Sequence, residues 1–148
     1  MSIDDALQFA VTRVCENTGW PLGHAYIVTA VDGGKRLHST AIWHSAGTER
    51  MRDFHRETEA TDFDPAVGLP GRVLATGAPA WIADVTEDRN FPRIEAARLA
   101  GIRAAFAFPV LTGSEVVAVL EFFSEMADDP NEIFLRLVSQ IGTSWAES

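Results

Sequence analysis

The sequence predicts an α+β domain built on one antiparallel sheet, and three observations carry that prediction. The first is a pair of strand-like segments, "HAYIVTAV" and "RLHSTAIWHS", joined through the turn-forming residues 32–35. The second is another such pair, "RAAFAFPVLT" and "EVVAVLEFFS", joined at Gly113-Ser114. Strands joined this tightly pair antiparallel, which disfavours a doubly wound nucleotide-binding sheet. The third is that helical patterns stand at both ends of the chain, with short ones between the hairpins. A length of 148 residues suits one domain, residues 1–148, around one core.

Taken in order, Asp4 or Asp5 is expected to cap a first helix whose apolar stripe is Leu7, Ala10, Val11, Val14 and Cys15. Thr18-Gly19 ends it, and Cys15 reads as a small buried hydrophobe. After the first hairpin, "ERMRDFHRETEA" predicts a polar helix with few apolar anchors, lying on the outside. In "GLPGRVLATGAPAWIADV", residues 68–85, Pro70 fits a first helical turn, Gly77 a left-handed end, and Pro79 prevents continuation. Gly68 and Gly71 let this short helix approach its neighbours closely, and "PAWIADV" alternates as a strand. Asn90 is expected to cap the next helix, with Pro92 in its first turn and Gly101 at its end. The final helix, about residues 129–147, opens on Asp129-Pro130-Asn131-Glu132 and carries Ile133, Phe134, Leu137, Val138, Ile141 and Trp145 as one stripe. These elements give about five to six strands.

Pairing the second hairpin about a two- or four-residue loop puts Phe106, Phe108, Val110, Val117, Val119, Glu121 and Phe123 on one face. Ala105, Ala107, Pro109, Ala118, Leu120 and Phe122 then share the other, a smoother surface for the terminal helices. An odd-length loop would undo this. Glu121 falls among apolar residues in this pairing, and a buried carboxylate needs a partner. Arg72, Arg93, Arg98 and Arg103 are the candidates, beside a donor or cation on a ligand.

Composition excludes several classes. The formal charge is −9, with 12 basic residues scattered rather than grouped, so no nucleic-acid partner is expected. No apolar run reaches the roughly 18 residues of a membrane span, and the acidic N-terminus does not read as a signal peptide, so a cytoplasmic setting with no membrane partner is expected. Cys15 is the sole cysteine, and His24, His38, His44 and His55 show no ligand spacing. The histidines read as solvent-facing, and no metal or catalytic grouping is expected.

Three passages, "GLPGRVLATGAPAWIADV", "RAAFAFPVLTGSEVVAVLEFFS" and "NEIFLRLVSQIGTSWA", resemble the small helix and strand, the central hairpin and the C-terminal helix of GAF domains in bacterial sensor histidine kinases and related signalling proteins. The resemblance implies N- and C-terminal helices on one sheet face and a small-molecule pocket under short helices and loops on the other. It points to Trp43, Trp81, Asp84, Phe91, Ile94, Arg98, Phe106, Phe108 and Glu121 as pocket candidates. Core packing and helix capping account for many of these side chains equally well.

The subfamilies with known chemistry match poorly. The region "DRNFPRIEAARLAG" holds no bilin-attachment cysteine, and no motif supports haem or flavin, so the cofactor is unknown. The Asn-Lys…Phe…Asp-Glu signature of cyclic-nucleotide-binding members is absent in order. GAF-type free methionine sulfoxide reductases need reactive cysteines in pocket loops, which Cys15 does not supply. The resemblance therefore implies a non-enzymatic sensory domain of a two-component or similar system, binding an unidentified small molecule and passing the change to a kinase or other output. The alternative is a dimerisation module without a ligand, and a homodimer is expected on either reading. Whether the last helix leads into an output domain stays open.

Overall fold

The computed structural model describes residues 2–45 and 49–127, and these form one five-stranded sheet with four helices. Helix α1 (Ile3–Thr18) is followed by strands β1 (Leu22–Val31) and β2 (Gly34–Ser45). A 3-10 turn (Glu49–Met51) leads into α2 (Arg52–Glu59), and α3 (Gly68–Thr76) precedes the short β3 (Ala80–Ile82). Helix α4 (Ile94–Ala100) then feeds β4 (Ala104–Thr112) and β5 (Glu115–Ser124). The sheet order is β2-β1-β5-β4-β3, and every pairing is antiparallel. The expected C-terminal helix lies outside the described residues.

Local chemistry sets the element ends. Ser2, rather than Asp4 or Asp5, caps α1: its hydroxyl accepts from the Asp5 amide at 3.1 Å. The two aspartates instead sit in the first turn, where the helix dipole favours negative charge. Gly19 closes the helix with φ 76°, a conformation that costs glycine nothing. Of "PAWIADV", only residues 80–82 pair, because Asp84 turns its carboxylate onto the Thr86 amide and starts a 3-10 turn over Val85–Glu87.

The sheet separates two apolar layers. Helix α1 covers one face through Leu7, Val11, Val14 and Cys15, which meet Phe106, Phe108, Leu120 and Phe122. The other face carries Tyr26, Ala105, Ala107, Val119 and Phe123, packed beneath Phe54, Phe63, Leu69 and Phe91 from the short helices and their loops.

This arrangement corrects the hairpin pairing expected from the sequence. The turn does have two residues, with Thr112 opposite Glu115 and Leu111 opposite Val116. The register then shifts, so that Val110 faces Ala118 and Val117 is the extra residue of a bulge. One residue of slip turns a whole strand over. Phe106 consequently shares a face with Phe122, and Ala107 with Glu121. Ala105 and Ala107 lie under the short helices, and Phe106, Phe108 and Phe122 lie under α1.

Candidate functional site

Glu121 projects from the middle of β5 into the layer beneath the short helices, fully shielded from solvent. Its partner is Arg93, the residue immediately preceding α4. The guanidinium meets the carboxylate with two parallel bonds, Nη1 to Oε1 at 3.0 Å and Nη2 to Oε2 at 2.7 Å. That two-pronged geometry is what a planar guanidinium offers and an ammonium does not. Arg93 is 2% exposed.

Two hydroxyls complete the polar cluster. Tyr26 donates to Glu121 Oε1 at 2.8 Å and accepts from Arg93 Nη1 at 3.1 Å. Thr58, on α2, accepts from the same nitrogen at 3.1 Å. Around them stand four phenylalanines whose ring centres lie 4.8 to 5.6 Å from the Arg93 guanidinium carbon: Phe63, Phe91, Phe54 and Phe123. Each is within the roughly 6 Å at which a ring face attracts a cation. Burial alone would disfavour the Arg93 charge, but Glu121 and Tyr26 hold its pKa above the ordinary value. Burial, reinforced by the neighbouring Glu121 carboxylate against the opposing pull of Arg93, pushes the Tyr26 phenol well up.

Arg93 is held in place from α3. Asn90 accepts from the Gly68 amide at 2.9 Å and donates to the Ala66 carbonyl at 2.9 Å. It therefore ties its loop to the start of α3 and does not cap α4, as the sequence had suggested. Arg72 reaches back from α3 to the Asn90 carbonyl at 2.7 Å and to the Asp88 carboxylate. A methyl group at Gly71 would run into the Asp64 carbonyl, and one at Gly68 would meet the Phe63 ring at 2.8 Å. The glycine-bracketed helix thus serves to seat Phe63 and the Arg93 loop over the sheet.

His24 belongs to the same face. It is fully buried beside Glu121 on the neighbouring strand, not solvent-facing as its sequence context suggested. Nε2 lies 2.8 Å from the Thr40 carbonyl and 3.0 Å from Ser39 Oγ. A carbonyl only accepts, so Nε2 carries the hydrogen, and Nδ1 is left as a buried acceptor without a partner among the described residues. Burial lowers the His24 pKa to about 3, with the Arg93 charge adding to the effect. Trp43 lies over His24 at 4.0 Å and stacks on His55 at 3.8 Å, while its indole donates to Glu59 at 2.8 Å.

The nine sequence candidates therefore divide. Glu121 and Phe91 are in the cluster, and Trp43 and Ile94 flank its layer. Asp84 caps the 3-10 turn and pairs with Arg103, whose hydrogen bond and that of Thr86 hold its pKa well below the usual carboxylate range. Arg98 is exposed and pairs with Glu95. Trp81, Phe106 and Phe108 pack in the α1 layer with Trp20 and Phe122. The sequence offers Arg93 only as one of four arginines, places His24 among solvent-facing histidines, and does not point to Tyr26, Thr58, Phe54 or Phe63. "NFPRI" offered a signal: an arginine between apolar residues at a helix start is poorly placed for solvent.

Other features bear on chemistry. Cys15 is buried on the α1 side, as expected, and burial pushes its thiol up to about 12. Among the described residues, no group of three or more His, Cys, Asp or Glu side chains is placed to hold a metal ion. No helix among them is long and apolar enough to cross a membrane.

Among the described residues, an antiparallel sheet has α1 on one face and short helices over a buried polar cluster on the other, an α+β architecture. The GAF domain family model matches residues 1–147, and the chain belongs to that family. Among solved structures, it is similar to the GAF domain of nlh2 from A. aeolicus in an inactive state, at 21% identity and a TM-score of 0.71, covering 99% of this chain and 83% of that one. It is also similar to a domain of a putative two-component sensor histidine kinase from Sinorhizobium meliloti, at 12% identity and TM-score 0.69, covering 98% and 89%. Free methionine-R-sulfoxide reductase from Neisseria meningitidis, in complex with its substrate, gives 15% identity and TM-score 0.70, covering 95% and 74%. At such identities the likeness is one of fold. The transcription factor MYC1 of Arabidopsis thaliana is 40% identical over 65 residues, a stretch that takes in 43% of this chain and 12% of that protein.

Proposed function

We propose that this chain is a non-enzymatic regulatory domain that binds a small molecule at the Arg93–Glu121 cluster and relays occupancy through its terminal helices to a histidine kinase or similar output. The observation that carries the reading is the cluster itself. A buried ion pair adds little net stability compared with apolar residues of the same volume, so a core has no packing need for one here. What the cluster does supply is a recognition set of a carboxylate, a guanidinium, two hydroxyls and aromatic faces. It touches α2 through Thr58 and α4 through Arg93, so a ligand that changes it repositions both helices. Coupling follows if the ligand favours one helix arrangement over the other.

Native mass spectrometry of freshly purified protein, with an absorption spectrum of the same sample, tests this. Extra mass that leaves on denaturation is the expected result. Bare polypeptide mass, together with no stabilisation by any compound of a metabolite library, would contradict it.

A second reading, a dimerisation module with a filled site, draws on the fact that Arg93 already occupies the space between the rings. It predicts a stable dimer by light scattering that no small molecule alters. A reductase reading needs a reactive thiolate. The sole cysteine lies on the opposite face with its pKa raised to about 12, which argues against it.

A further inference from the structure

The receptor half of the cluster is built for a guanidinium. Glu121 supplies two parallel acceptors, Tyr26 and Thr58 supply hydroxyl oxygens, and ring faces surround the plane between them. Carboxylate, phenol and His24 all stand on the central strands β1 and β5. The occupant stands elsewhere: Arg93 sits at the mouth of the seven-residue α4, in a loop fastened by polar contacts of Asp88, Asn90 and Arg72. Carboxylate, phenol and imidazole are thus carried by the sheet and Thr58 by α2, while the occupant of this cage rides on a separate loop.

The fit of that occupant is also incomplete. Nη1 of Arg93 faces three acceptors, at 3.0, 3.1 and 3.1 Å, with two hydrogens to give. Among the described residues, its Nε–H is buried without an acceptor, and His24 Nδ1 on the same sheet face is a buried acceptor without a donor. Donor and acceptor are both left over around one guanidinium.

We propose that this cage binds a free ligand bearing a guanidinium or amidinium group, and that Arg93 is a tethered occupant which such a ligand displaces. The proposal rests on the ligand-binding reading above and adds the class of ligand. Planarity selects the class: a guanidinium gives two parallel bonds to Glu121 and presents flat faces to the rings, whereas an ammonium is a compact point charge. Displacement supplies the signal, since the loop carrying Arg93 leads directly into α4. An occupant on the same chain competes at an effective concentration of about millimolar, so the intact protein binds its ligand less tightly than the cage alone does.

The test uses the full chain labelled at arginine nitrogens. The buried Arg93 Nε–H gives a protected resonance, which is followed while methylguanidinium chloride is added at constant ionic strength. A saturable loss or shift of that resonance is expected, with no change from methylammonium chloride or sodium acetate. In Arg93→Ala, checked for folding by circular dichroism, calorimetry should find methylguanidinium bound at least about tenfold more tightly, with the gain abolished by adding Glu121→Gln. An unmoved Arg93 resonance overturns the proposal, as does binding by Arg93→Ala unmatched by any in the wild type. If Arg93→Ala does not fold, the wild-type titration decides alone. Should methylguanidinium fail while a library compound stabilises the wild type, the ligand class falls and the sensory reading stands. If both fail, both fall.

Discussion

At the scale of single residues, the pairing of Arg93 with Glu121 makes the sharpest demands. Glu121→Gln leaves a buried guanidinium without its counter-charge, and a loss of about 3–5 kcal/mol in urea denaturation is expected. The Arg93→Met/Glu121→Leu double variant removes both charges and should cost less than either single charge-breaking change. His24 gives a pH prediction. Its pKa falls from 6.5 unfolded to about 3 folded, so the unfolded chain takes up a proton that the folded one refuses. The contribution is complete above pH 6.5 and is lost as pH drops towards 3, at no more than about 1.4 kcal/mol per pH unit. Denaturation midpoints of wild type and His24→Gln should converge as pH falls from 7 to 5. From the sequence, Glu121 needs a partner only if it is buried, and Arg93 is one of four arginines, beside a ligand group, that could serve. The choice depends on which loop folds over β5, and the apolar neighbours of Arg93 in "NFPRI" are a local hint to it without naming Glu121 as the partner.

At the scale of elements, α2 and α3 show how few contacts fix a short helix. Helix α2 reads as polar and solvated, yet Phe54 is fully buried against the Arg93 guanidinium and Phe123. Phe54→Ala should cost about 3–5 kcal/mol, measured by thermal or urea unfolding. Gly71→Ala forces α3 away from the Asp64 carbonyl; a loss of about 1–3 kcal/mol is expected, with a weakened tie between Asn90 and the start of α3. The existence and order of the elements were legible, since turn residues, capping patterns and strand composition are local signals. The face of the last hairpin was not. A bulge at Val117 reverses one strand, and nothing in "GSEVVAV" distinguishes a bulged register from a regular one. That single slip moved Phe106 and Phe108 out of the candidate site and into the α1 layer, while Glu121 stayed in it.

At the scale of the molecule, the sheet separates two unlike layers among the described residues. One face bonds α1 to the sheet through an apolar layer that includes the buried Cys15. The other holds a polar, charge-paired cluster under elements that are short and held by few residues. The proposed regulatory role would use such a division: a stable scaffold, and a site whose occupancy shifts helices without unfolding the core. The most direct test is a thermal-stability screen of one metabolite library against the wild type and the Arg93→Met/Glu121→Leu variant. Binding at a hundred times the dissociation constant adds about 2.7 kcal/mol, which corresponds to a shift of several degrees in a domain of this size. The account predicts at least one compound that raises the wild-type melting temperature and leaves that of the variant unchanged. A library that stabilises neither, or both equally, would contradict it.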